Sequence, residues 1–268
     1  MINRELDQFF TTEETAIRCL NYVSLSLDIK NISWIEPSAG AGSFLKVAKI
    51  VGFPSCVAAY DLMPQHDGVI KADFLTVNLE TIFKENSVRC CIGNPPFGKN
   101  SSLAIKFFNH AAKNVDVIAM IFPSTFCKES VIKKLNKNFH LIGELDLGSI
   151  EFLFINESRK VPVVFQVWKR NDELRLDFNS KRISEYFSFV DKINANFAIQ
   201  RVGFSAGKVK HDLSNLASAS HYFIKGDKSV IDTFNLIDWS NIKNKTAGNP
   251  SIAKTELIRE FESKLNNK

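Results

Sequence analysis

The chain has no apolar run approaching the roughly 18 residues that a membrane span needs. No membrane partner is therefore expected. The opening stretch, MINRELDQFFTTEE, has no apolar h-region and carries acids, which argues against a secretory leader. There are five cysteines, Cys19, Cys56, Cys90, Cys91 and Cys127. The count is odd, and three of them sit inside apolar runs. None pairs with a second at metal-ligand spacing with histidine nearby. A disulfide scaffold and a cysteine–histidine metal site are thus not expected, and buried free thiols in a reducing compartment, the cytoplasm, are. The five histidines, His66, His110, His140, His211 and His221, form no readable cluster, and no metal is expected. Internal repeats and low-complexity segments are also missing.

What remains is an ordinary globular composition: 268 residues, 45% apolar and 24% charged. That length suits one large domain, or a large domain with a small one. The net charge of +5 is unevenly placed. Residues 1–168 hold 17 basic and 17 acidic side chains, whereas residues 169–268 hold 17 and 12. A basic surplus confined to the last hundred residues points to a polyanionic partner. A solvated surface of mixed sign is the competing reading.

Residues 13–28 have helical spacing, with Thr11 or Thr12 as the cap. ISWIEP then reads as a strand, SAGAGS as a turn and FLKVAKIVG as a helix stopped at Gly52. CVAAYD, VIKADF and VRCCIGN read as strands, SSLAIKFFNHAAKN as a helix with a serine cap, and VDVIAMIFP as a strand covered on both faces. KESVIKKLNKNF reads as a helix, and HLIGELDL and VPVVFQVWKR as the last strands. Alternating apolar strands and helices predict an α/β fold with a doubly wound, mostly parallel sheet. Past Arg170 the alternation becomes irregular. NDELRLDFNSKR is a candidate linker, and a helix is expected after Pro250. The expected organisation is a domain over 1–170 and a small C-terminal region over 171–268.

Doubly wound sheets hold ligands beyond the carboxyl ends of their strands. Four strand ends carry unusual residues: Glu36-Pro37 with the glycine turn, Asp61, Asp73-Phe74, and Asn94-Pro95-Pro96-Phe97. Gly40 and Gly42 permit a tight turn and close approach of backbone to a ligand. The turn lacks the third glycine of a dinucleotide fingerprint and the Lys-Ser/Thr of a phosphate loop, so a ligand with less phosphate suits it. Asp61, at the second strand's end, is placed either to accept from two ribose hydroxyls or simply to close a turn. The Asp73 carboxylate suits an adenine amine, with the Phe74 ring beside it; a turn acid followed by a core phenylalanine is the alternative.

FFTTEETA, EPSAGAGSF, YD, ADF and NPPF, in this order, resemble the gamma class of S-adenosylmethionine-dependent adenine-N6 DNA methyltransferases. The resemblance covers about residues 9–170. It implies a seven-stranded, Rossmann-like class I methyltransferase fold and S-adenosyl-L-methionine as cofactor. It places Glu36, Ser38, Gly40 and Gly42 at the methionine part, Asp61 at the ribose, and Asp73 and Phe74 at the adenine. Phe10, Thr11 and Thr12 match the methionine-carboxylate contact, where the family usually has Thr-Pro and this chain has Thr-Glu.

The resemblance also gives NPPF a chemical meaning. An exocyclic amine conjugated with its ring is a poor nucleophile. Two acceptors aimed at its hydrogens draw the nitrogen toward tetrahedral geometry. The side-chain oxygen of Asn94 and the carbonyl of Pro95 would be those acceptors, and Pro95 with Pro96 stiffens the backbone that carries them. Phe97 would stack on the base, which must be extruded or already unpaired. A strand-ending Pro-Pro turn with a core phenylalanine is the alternative. Phe152 and Phe154, in the expected loop SIEFLFINESRK, are candidates for a second aromatic face or for the core, and Lys99 for a phosphate contact or a solvated loop.

The implied partner is DNA, with RNA adenine or guanine amines as an alternative substrate and a protein glutamine amide as another. A catalytically silent partner subunit is a further reading, opposed by the intact NPPF. The short C-terminal region leaves room for a partner subunit or a cognate restriction enzyme.

Overall fold

The computed structural model describes residues 11–154, 157–176, 181–246 and 249–266, with the side chains of 150–159 outside the description. The chain divides into two units, 1–177 and 178–268.

The first unit opens with α1, Glu13–Ser26. Thr12 caps it, its hydroxyl accepting from the Thr15 N–H at 3.2 Å. Ala16, Cys19, Leu20 and Val23, at helical spacing, form its buried face. The strands are β1 (Ile32–Glu36), β2 (Ala58–Asp61), β3 (Ile70–Lys71), β4 (Val88–Gly93), β5 (Val117–Pro123), β6 (Phe139–Phe154) and β7 (Glu157–Arg170). Between them lie α2 (Ser43–Ile50), α3 (Ser102–Ala111) and α4 (Glu129–Ile132).

One seven-stranded sheet results, in the order β3-β2-β1-β4-β5-β7-β6. Only β7 opposes its neighbours; the pairings of β3 through β5 are all parallel. This is the doubly wound, mostly parallel sheet expected from the alternation, with the seven strands and Rossmann-like form that the resemblance implies. Every residue of β1 and of β5 is buried, so both faces of these central strands are covered. The order reverses between β1 and β4, which places the ends of β1, β2 and β4 at the crevice where such sheets take ligands.

Four expected elements differ. VIKADF forms a strand only at Ile70–Lys71, after which Asp73 caps a short 3-10 turn, Phe74–Thr76. The expected helix over 128–139 stops at Ile132. The Arg175 guanidinium takes the carbonyls of Ile132 and Leu135 at 2.8 and 3.2 Å, and the Asn136 side chain accepts from the Asn138 N–H, which closes a turn in competition with a helix. Ser101 does not cap α3: its φ is 63° and its side chain makes no cap bond. The Phe97 carbonyl instead accepts from the N–H groups of Leu103 and Ala104, at 3.1 and 3.3 Å. Residues expected to form a loop around 149–160 continue β6 and β7 as a long antiparallel hairpin, with Phe152 paired to Arg159 and Phe154 to Glu157.

The second unit is a four-stranded antiparallel sheet, in the order β10-β9-β11-β8. Its strands are β8 (Ser188–Phe189), β9 (Phe197–Gln200), β10 (Val209–Lys210) and β11 (His221–Lys225). Helices α5 (Lys228–Asn235), α6 (Ser240–Lys243) and α7 (Lys254–Asn266) complete it. Phe187, Phe197, Phe234, Leu257 and Phe261 centre a separate core. Residues 1–177 hold 20 basic and 20 acidic side chains, and 178–268 hold 14 and 9, so the surplus belongs to this unit. No helix among the described residues is long and apolar enough to cross a membrane.

Candidate functional site

Strand β1 ends at Glu36, and the chain turns through Ser38–Gly42 into α2. Gly40 and Gly42 have φ of 50° and 75°, a region costly for any residue with a Cβ. Asp61, at the end of neighbouring β2, holds this turn. Its Oδ2 accepts from the Gly40 N–H at 2.7 Å, and its Oδ1 accepts from the Met63 N–H, also at 2.7 Å. The carboxylate therefore closes a turn; each oxygen keeps a second lone pair for a ligand hydroxyl.

Strand β4 pairs with β1 on the other side, Ile35 opposite Cys91. Gly93 lets the two strand ends close on each other: a Cβ there would lie 3.0 Å from Pro37 Cδ and 3.2 Å from Glu36 Cγ. Asn94 follows, 7% exposed. Its carbonyl accepts from Ser38 Oγ at 2.7 Å, and its Nδ2 donates to Thr11 Oγ1 at 3.1 Å. Ser43 Oγ in turn donates to the Thr11 carbonyl at 2.6 Å. Thr11, Ser38, Ser43 and Asn94 thus tie the glycine turn, the segment before α1 and the Pro-Pro corner into one polar ring. With Nδ2 held on Thr11, the amide is fixed at this corner and its Oδ1 is buried there.

Glu36 is 2% exposed, and its Oε2 has no hydrogen-bond partner among the described residues. Burial raises its pKa to about 8, with the negative charge of Asp61 adding to the rise. The group therefore carries a proton at neutral pH. Among the described residues this buried Oε2, at the strand end beside the glycine turn, is a polar atom whose partner the fold itself does not supply.

The other expected residues are placed as follows. Thr12 serves α1 as its cap. Phe10 lies outside the described residues. Asp73 Oδ1 accepts from the Leu75 N–H at 3.0 Å. The Phe74 ring is in the core, stacked on Phe107 at 5.3 Å and edge-on to His110 at 5.0 Å, so it offers no open face to a ligand. Phe97, 5% exposed, packs in the first unit's core and presents little of its ring to solvent. Lys99 is exposed. Phe152 and Phe154 lie on β6, with side chains outside the described residues.

Two features of the site had no sequence signal. The His66 ring lies over Gly42, where a Cβ would come within 2.8 Å of it, and His66 Nδ1 accepts from the Gly68 N–H at 3.0 Å. Just after NPPFGK, Asn100 and Ser101 are consecutive left-handed residues without being glycine. Buried Ser101 shares a 2.6 Å hydrogen bond with Thr125 across this corner. Among the described residues, no group of three or more His, Cys, Asp and Glu side chains is placed to hold a metal ion.

No protein-family model matches the chain, and no curated protein matches it. Solved structures do. A Pyrococcus horikoshii protein proposed to be an RNA methyltransferase is 17% identical, with a TM-score of 0.48 over 62% of this chain and 88% of that one. The methyltransferase subunit of a type I restriction-modification system from Streptococcus thermophilus is 17% identical, with a TM-score of 0.45 over 61% of this chain and 45% of that one. Magnesium protoporphyrin IX methyltransferase from Synechocystis, solved with S-adenosylmethionine bound, is 9% identical, with a TM-score of 0.34 over 59% and 79%. The fold itself rests on the strand order described above.

Proposed function

We propose that the protein transfers a methyl group from S-adenosylmethionine to the exocyclic N6 amine of adenine in nucleic acid, with DNA as the first substrate to test and RNA as the second. The observation that carries this reading is the polar ring joining Asn94 to the glycine turn through Ser38 and Thr11. It fastens an acceptor-bearing Pro-Pro corner directly beside an acidic, glycine-lined turn.

The residues of the turn fit the cofactor. Glu36, buried and unpartnered at Oε2, suits the methionine ammonium. The positive φ of Gly40 and Gly42 makes the tight turn that a cofactor would follow, and the Asp61 oxygens suit ribose hydroxyls. Asp73 suits the adenine amine; the Phe74 ring lies in the core. When bound, the cofactor supplies an electrophilic sulfonium methyl. The chain's own part is orientation. Asn94 Oδ1 and the Pro95 carbonyl accept the two hydrogens of the target amine and hold its lone pair in line, and they need no strong base. Pro95 and Pro96 fix the carbonyl before substrate arrives. Phe97 flanks the base once its ring turns out of the core. The target base reaches this corner only when extruded or unpaired. The basic second unit supplies the phosphate contacts that the charge-balanced first unit does not, and a partner subunit is compatible with its small size.

The test is incubation with labelled S-adenosylmethionine and separate pools of duplex DNA, single-stranded DNA, RNA and protein, followed by nucleoside analysis. N6-methyladenosine or its deoxy form is the expected product. Label on protein glutamine or on guanine would overturn the assignment.

A further inference from the structure

The second unit contains a cleft of about 390 Å³, between the turn after β9 and the link from α5 to α6. Its volume is at the lower end of the roughly 300–1,000 Å³ usual for small-ligand clefts, the scale of one base with its sugar. Phe204, on the turn, is 87% exposed. The turn holds it there: Lys243 Nζ donates to the Phe204 carbonyl at 2.8 Å and sits 5.2 Å from the ring centroid. The ring therefore stands in water on a pinned backbone and has no packing role of its own.

Trp239 lies under the same turn. Gly207 has φ 94°, and a Cβ there would overlap the indole at 2.3 Å, so only glycine lets the turn rest on this ring. The indole is 7% exposed, and its Nε1 is buried with no partner among the described residues, a condition native folds rarely keep. Lys208 and Lys243 line the cleft with them. Asp238 is its one acid, and that carboxylate already accepts from the Ser240 N–H at 2.9 Å. The unit around it holds 14 basic against 9 acidic side chains. An exposed aromatic face set among cations is how single-stranded nucleic acid is gripped without regard to sequence: bases stack and phosphates pair.

We propose that this cleft seats one unpaired base of a single-stranded polynucleotide, the base on the Phe204 ring and its flanking phosphates on Lys208 and Lys243. The inference rests on the reading of nucleic acid as substrate and identifies a place where the strand is held.

The experiment titrates the full-length protein with a short oligothymidylate, an abasic strand of equal length and charge, and a polyglutamate peptide, following anisotropy of labelled ligand and tryptophan emission. The oligothymidylate should bind about 5- to 150-fold more tightly than the abasic strand, the value of one stacked base. Phe204→Ala should remove that difference while Phe204→Tyr keeps it. Because Phe204 is exposed, circular dichroism should show both variants folded. Lys208→Glu should weaken both strands and lower the salt slope by about 0.7 or more. Unchanged oligothymidylate affinity in Phe204→Ala, or equal binding of the abasic strand or polyglutamate, would overturn the cleft. Methyl transfer to nucleic acid would still stand in that case. Conversely, a base-selective cleft with no methylated nucleoside in any pool would leave the cleft and remove the proposed reaction.

Discussion

Glu36 makes the first unit's stability depend on pH in a direction opposite to that of most carboxylates. Its folded pKa is about 8, against an ordinary 4.5. Between these values the unfolded chain has lost the proton and the folded chain has kept it. The folded state then binds more protons, so stability falls as pH rises. The contribution is fully present below about pH 4.5, declines through neutrality, and levels off above pH 8. Each unit of pKa shift corresponds to about 1.4 kcal/mol, so the loss between pH 5 and pH 9 amounts to about 4 kcal/mol. The perturbation is Glu36→Gln, which keeps shape and hydrogen-bonding capacity and removes the ionisation. At pH 5 the variant should be somewhat less stable than the parent, because a buried amide donor without a partner costs about 1–3 kcal/mol. By pH 9 the order should reverse. The assay is urea denaturation of both proteins at each pH unit from 5 to 9, followed by tryptophan emission, with only the difference between the two interpreted. Common contributions, including that of Trp239 in the second unit, cancel in that difference. Acid-side groups act elsewhere: Asp116, whose pKa is lowered by its Arg89 partner against the opposing effect of burial, adds stability that is lost only as pH falls below the ordinary carboxylate range. A difference curve that stays flat from pH 5 to 9 would show that the Glu36 carboxyl is not held protonated by the fold.

The same carboxyl predicts proton release on cofactor binding: calorimetry in buffers of different ionisation enthalpy should find close to one proton released per S-adenosylmethionine at pH 7 and almost none at pH 9, and Glu36→Gln should abolish it. Asp61→Ala should lower cofactor affinity about 10- to 100-fold, since it removes a charged acceptor from the Gly40 and Met63 amides and, on the proposed reading, from the ribose; unchanged affinity in a folded variant would end the ribose assignment. Asn94→Ala should reduce turnover about 100- to 1,000-fold while cofactor affinity is kept, and near-parental methylation rates would show that the amine is not oriented by this side chain.

The parts of the site readable in the sequence are those that chain-local chemistry announces. Two glycines after an apolar strand, an acid at the next strand's end, and a double proline after a third are each unusual where they stand, and the parallel sheet necessarily brings such ends to one edge. A cap at Thr11 or Thr12 was readable for the same reason, since a cap acts within three residues, and Thr12 takes it. What escaped is whatever depends on distant partners. The hydrogen bonds joining Asn94 to Thr11 and to Ser38 span 83 and 56 residues. The early end of α4 is set by Arg175, some 40 residues on. Phe74, one of 23 phenylalanines, reads in the sequence as a ligand contact or as core, and the packing of Tyr60, Phe107 and His110 against it puts its ring in the core. Glu36 is the clearest case. In the sequence it is a strand-end acid like Asp61, yet Asp61 finds two backbone amides and Glu36, among the described residues, finds no partner at Oε2. Gly93 and Pro37 close over it because β4 lies beside β1, and that closure converts an ordinary acid into a buried proton store. The residue types at the edge of a sheet thus indicate which chemistry is available. Which strand lies next to which determines the protonation state in which Glu36 waits.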